Sequence, residues 1–181
     1  MFIIYTLLLL LIIFGCLAIG YIILYNKMQH YTTKVDQAES IIDETLRNRY
    51  DLIIKASTII NNNVKDKKNL FKDIEKLKDT NISNFDLDRK LTDSIMLIKQ
   101  LKADYDNLAN DKEFKSVISD IKSTDEKLQA AKSFYNKYTN LLNDQIRQFP
   151  SNIIAKMHDI QIKLFFDRKD MHDDVIDDFK F

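Results

Sequence analysis

The sequence predicts an all-α protein, an antiparallel helical bundle following one N-terminal transmembrane helix, and three observations carry that prediction. The first is "FIIYTLLLLLIIFGCLAIGYIILY" (Phe2 to Tyr25), 24 residues without a charge, against the roughly 20 apolar residues needed to cross a bilayer core of about 30 Å. The second is composition: both glycines, Gly15 and Gly20, lie in that stretch and the single proline is Pro150, so the rest of the chain has no glycine for tight hairpin turns. The third is spacing. Apolar residues recur at three- and four-residue steps through most of the remaining sequence, which is the period of an amphipathic helix.

The N-terminal stretch reads as an uncleaved anchor. A signal peptide wants a basic start, an apolar run of about 7 to 15 residues and a small-x-small cleavage site. Only Ala18-Ile19-Gly20 meets any of this, and no Lys or Arg precedes it. Lys27 and Lys34 follow the span, so the positive-inside rule predicts a cytoplasmic C-terminal domain. Cys16, the single cysteine, excludes an internal disulfide and reads as a small apolar packing residue.

Beyond Tyr25, Val35, Ala38, Ile42, Leu46, Ile53, Ala56 and Ile60 continue one stripe with no breaker, predicting a single helix from near Phe2 to about Asn61, roughly 90 Å long at 1.5 Å per residue. A shorter helix is expected at about Lys65 to Lys78, then a polar connection over Asp79 to Asp86. Leu87, Leu91, Ile95, Ile98, Leu101, Tyr105 and Leu108 keep near-heptad spacing for a third helix. Asn110, with Glu113 three residues on, reads as the N-cap of the last one. Its stripe is Phe114, Ile118, Ile121, Leu128, Ala131, Tyr135, Tyr138, Leu142, Ile146 and Phe149, and Phe149-Pro150 is the expected stop.

Polar residues on these stripes are the candidate functional features. Arg49 interrupts the first stripe and Asp125 the last, and opposite charges are tolerated in cores chiefly when paired. They are predicted to form one buried pair, which Asn136 and Asn143, two turns apart, extend into a seam that sets helix register. Surface exposure is the competing reading. Chemistry is not legible: His30, His158 and His172 lie far apart and outside the Glu-x-x-His spacing of di-iron bundles. His-Glu-x-x-His, paired-cysteine and glycine phosphate-loop motifs are absent as well. The expectation is therefore no catalytic, cofactor or metal site, and no enzyme. With 27 basic and 27 acidic residues in all, no basic surplus suits a nucleic-acid backbone.

Tyr25-Asn26, "VDQAESIIDETLRNRYDLI" (Val35 to Ile53), "DEKLQAAKSFYN", "NDQIRQFPSNIIAKM" and "LFF" resemble the successive blocks of the LemA family. The resemblance covers nearly the whole chain, and "RYDLI" and "FPSNIIAK" are its most specific pieces. It implies an N-terminal membrane helix and an all-helical bundle, and no agreed reaction. It adds Asp51 and Lys132 to Arg49, Asp125, Asn136 and Asn143 as the family-matching polar seam. The chain departs from the family in having Asn48 before Arg49, Ile54-Lys55 after "YDLI", Leu142 before Asn143, Lys132 in place of an arginine and Asp125 in place of a glutamate.

The expected organisation is an anchor at 1–25, a bundle at 26–166 and an acidic, flexible tail at 167–181, where six aspartates meet three basic residues. The expected role is a scaffold or protein-interaction module at the cell membrane, with a sensor domain as the alternative. Expected partners are the lipid bilayer and other proteins, among them further copies of this chain, and no nucleic acid.

Overall fold

The longest element, α1, runs unbroken from Phe2 to Asn63. The structure, a computed structural model, describes residues 1–64, 70–79 and 82–167. Helix α1 is followed by α2 (Lys72–Glu75), a 3-10 turn (Lys76–Asp79), α3 (Asn84–Asp104), α4 (Asp106–Asn110), α5 (Lys112–Arg147) and α6 (Ser151–Met157). No strand occurs among the described residues, and the fold is an all-α helical bundle. The acidic tail, from residue 168 on, lies outside the described residues, as does His172.

The chain divides into two compact units, Ala38–Ser133, and Met1–Gln37 with the described part of Phe134–Phe181. Within Ala38–Ser133, the ion pairs Glu44–Lys127, Arg49–Asp125 and Lys55–Glu113 show α5 running opposite to α1. Asp88 at Arg49 and Asn107 at Asn63 show α3 and α4 following the direction of α1. Between them the chain must return, and α2 lies on that return path, where the Tyr50 hydroxyl donates to the Glu75 carbonyl at 3.2 Å. Leu46, Ile53, Ala56 and Ile60 of α1, Leu91 and Ile98 of α3 and Phe114, Val117 and Leu128 of α5 are fully buried. Packing of these facing stripes is the main stabilising term.

Element ends follow local hydrogen bonding more than the apolar pattern suggests. Of the expected second helix, residues 65–69 lie outside the described residues; in the rest, helix begins only at Lys72, as α2 and its 3-10 turn, with Phe71, Ile74 and Leu77 buried, and so short a helix has little strength of its own. Helix α3 starts at Asn84, inside the expected connection. Ser83 caps it, its hydroxyl accepting from the Asp86 amide at 3.2 Å. The run through Leu108 is split at Tyr105, which is extended (φ −128°, ψ 106°), although its amide still donates to Leu101. The split leaves Asn107 donating to the Asn63 carbonyl at 3.0 Å, satisfying an orphan acceptor at the end of α1. The N-cap of α5 is Asp111, not Asn110: its carboxylate accepts from the Phe114 amide at 2.8 Å, while Asn110 closes α4.

The other unit has its own small core of Met28, Val35, Leu142, Ile154 and Ala155, with Tyr21, Leu24, Tyr25, Tyr31, Tyr135, Tyr138, Ile146 and Ile160 against it. Before Tyr21 the character changes. From Met1 to Ile19 every residue except Thr6 is exposed, and the Thr6 hydroxyl is satisfied within the helix by the Ile3 carbonyl at 2.8 Å. This first part of α1 is long and apolar enough to cross a membrane. At the other end, α5 stops at Arg147, and Phe149 is 80 % exposed instead of closing the α5 stripe. The backbone leaves the helix after Arg147, so the Phe149 side chain no longer follows the buried face.

Candidate functional site

The most buried charge among the described residues is Arg49, 3 % exposed on α1. Its Nη1 donates to Asp88 Oδ1 on α3 at 2.6 Å and its Nη2 to Asp125 Oδ1 on α5 at 3.0 Å. Lys132, one side of α5 further along, donates to the second oxygen of Asp88. Two cations and two anions therefore neutralise one another, and the planar guanidinium fork ties three helices together. A slip of any one helix by a turn, 5.4 Å, breaks two of the three bonds in the set.

Asp88 is the member that the sequence reading lacks. It lies three residues before Leu91 and seven before Ile95, squarely on the α3 stripe, and is itself buried. The expected polar connection up to Asp86 put it at a helix end, where an aspartate is unremarkable; the Ser83 cap moves it inside. With one oxygen on Arg49 and the other on Lys132, the Asp88 carboxylate bridges both cations of the set. Asp51, the remaining family-matching charge on α1, is exposed and points away from this set.

Asn136 and Asn143 take no part in the charged set. Asn143 Nδ2 donates to the Lys163 carbonyl at 2.7 Å, and its Oδ1 accepts from the Lys163 amide at 3.0 Å. Asn136 Oδ1 accepts from the Phe166 amide at 2.9 Å, and the Tyr135 hydroxyl donates to the Leu164 carbonyl at 3.0 Å. The asparagines clamp the extended segment after α6 along α5. Their seven-residue spacing has a metric reason: seven helical residues rise about 10.5 Å, and the three extended residues from 163 to 166 about 10 Å. Lys163 is held further by Asp36 of α1 at 2.5 Å.

Pro150 begins the next turn, and Ser151, buried, donates its hydroxyl to the Gln145 carbonyl at 2.7 Å beyond the end of α5. Helix α6 then ends at His158, whose Nε2 shares a 2.5 Å hydrogen bond with the Tyr21 hydroxyl and whose ring centroid is 4.5 Å from that of Tyr25. Sequence reading leaves His158 without a role, since a partner 137 positions away leaves no local signal. His30 lies instead beside Tyr31 and Tyr138.

One concave feature deserves naming in Ala38–Ser133. A cleft of about 550 Å³ between α3 and α5 has Ile95, Ile118 and Ile121 among its walls and Lys99, Lys102, Lys115 and Lys122 around it, with Asp125 and Glu126 at its acidic edge.

The LemA family model matches residues 38–179 of the chain. The match takes in the charged set, both clamping asparagines and α6, and begins after the exposed apolar part of α1. No curated protein matches the chain.

Proposed function

The chain belongs to the LemA family, and from that premise we propose that it is a single-pass membrane protein whose bundle presents a rigid interaction surface to protein partners at the cytoplasmic face of the cell membrane, without catalysing a reaction. The observation that carries this reading is α1 itself. Its exposed apolar part passes without a break into residues that are fully buried in the bundle, Met28, Val35 and Ala38 among them. One helix thus carries both an apolar stretch fit for lipid and residues of a packed core. The charged set adds support, because its groups pair with one another and act as a tie between helices.

The test is topological. In a Cys16→Ser background, a cysteine at exposed Asp120 is expected to resist a membrane-impermeant thiol reagent in intact cells and to react after lysis. Full-length protein is expected to stay in the membrane pellet on alkaline extraction. Labelling in intact cells reverses the orientation, and release by alkali removes the anchor.

The lysine-rimmed cleft between α3 and α5 favours a second reading, a sensor for an anionic ligand with an apolar portion. A ligand that binds only the native state raises its thermal midpoint, and the more so the higher its concentration above its dissociation constant. A panel of phosphorylated and carboxylated amphiphiles that leaves the midpoint unchanged would set this reading aside.

A further inference from the structure

We propose that the α5–α6 corner is a second membrane contact, with Phe149, Ile153 and Met157 inserted in the headgroup and upper acyl region beside the anchor; the proposal rests on the membrane reading above. These three side chains are 80 %, 50 % and 68 % exposed, although α6 also has a buried side. Ile154 and Ala155 pack in the core with Met28, so the helix is firmly attached by one face and offers the other. Ile153 and Met157 lie one turn apart on that offered face, and Phe149 precedes it at the corner.

What covers the stripe follows from where α6 ends. His158, next to Met157, is hydrogen-bonded to Tyr21 and has its ring centroid 4.5 Å from that of Tyr25, and these tyrosines close the apolar stretch of α1. Tyr21 and Tyr25 are stacked on one face, with ring centroids 6.3 Å apart, and amphipathic rings of this kind settle at the level of lipid headgroups. From Tyr21 to Met28, α1 rises about 10 Å. That is the depth over which α6 touches it, and also the depth to which interfacial helices bury their apolar face, about 5–10 Å. Lys27 and Lys156, both exposed on the same two helices, supply the positive charge that anionic headgroups favour. A bilayer is thus already beside the stripe, with its surface at the right height, so the occupant is lipid.

Full-length Cys16→Ser protein with a single cysteine at 153, 157 or, as a control on exposed α5, 129 can be labelled with an environment-sensitive fluorophore. It is then reconstituted in vesicles of phosphatidylcholine and phosphatidylglycerol and floated. The expected result is blue-shifted emission at 153 and 157 that is quenched by lipids with a nitroxide near the headgroup, and none at 129. Vesicles that carry the protein while 153 and 157 behave like 129 overturn the proposal and leave the anchor intact. A blue shift without lipid quenching also overturns it, since protein then covers the stripe. Failure to float with the vesicles overturns the anchor reading instead, and the proposal with it.

Discussion

At Arg49 the guanidinium divides its donors between two carboxylates of unequal burial, and that inequality decides what each substitution does. The Asp88 side chain is 11 % exposed and that of Asp125 44 %. Removing Asp88 leaves a buried cation with only a half-solvated partner, so Asp88→Leu is expected to cost about 3 to 5 kcal/mol. Asp125→Ala leaves Arg49 bound to Asp88 and is expected to cost about 1 kcal/mol or less, because water already screens that contact. The double replacement Arg49→Met with Asp88→Leu is expected to recover much of the single-site loss, Lys132 turning its long stem toward solvent. Urea unfolding of these three variants and of Arg49→Met alone measures these differences; equal effects of Asp88 and Asp125, or simple additivity at Arg49 and Asp88, would contradict the assignment. Pairing of Arg49 was legible, since an arginine on an apolar stripe needs an anion. Its chief partner was not, because the choice between two aspartates depends on where α3 begins.

Elements are bounded here by single hydrogen bonds that the apolar period does not encode. Asp111 and Asn110 are both good N-cap residues, and the Phe114 amide decides between them. Asp111→Ala is accordingly expected to lower stability by about 1 kcal/mol, and Asn110→Ala by much less. The clamp on α5 makes a different demand. Asn143 has two backbone bonds to Lys163 at once, so Asn143→Leu, which keeps the volume and deletes both, is expected to lose about 1 to 3 kcal/mol and to free the segment after α6. Amide exchange at Lys163 and Phe166 should rise sharply in that variant and hardly at all in Asp111→Ala. Unchanged protection would mean that Lys163–Asp36 and side-chain packing hold the segment without the asparagine. The heptad spacing of Asn136 and Asn143 was visible in the sequence and invited a helix–helix seam. An extended partner has the same 10 Å repeat, and spacing alone does not separate the two.

On the scale of the whole chain, the apolar stretch and the bundle share residues, which determines where they can be cut apart. Tyr21, Leu24 and Tyr25 fall within the charge-free run, yet all three pack against the Met28 core. A protein starting at Gly20 is expected to be soluble, helical and cooperatively unfolding. One starting at Asn26 should lose the His158 contacts and melt earlier, with α6 protected less from exchange. Circular dichroism melts of the two truncations decide the point, and identical midpoints would show that α6 is held by Ile154 and Ala155 alone.

The amino-acid sequence by itself determined the helical class, the apolar N-terminal stretch, the uninterrupted α1 and the stop at Pro150, because each rests on local period, length or backbone restriction. Family membership was legible for a similar reason, since "RYDLI" and "FPSNIIAK" are contiguous strings. Only the tertiary structure decided that Arg49 holds Asp88, that the two asparagines grip extended backbone, and that His158 reaches Tyr21. Each of these joins groups far apart in the chain through one or two hydrogen bonds. Such contacts depend on the register of packed helices to within one turn, and hydrophobic period specifies which face of a helix is buried without specifying which turn of the next helix lies against it.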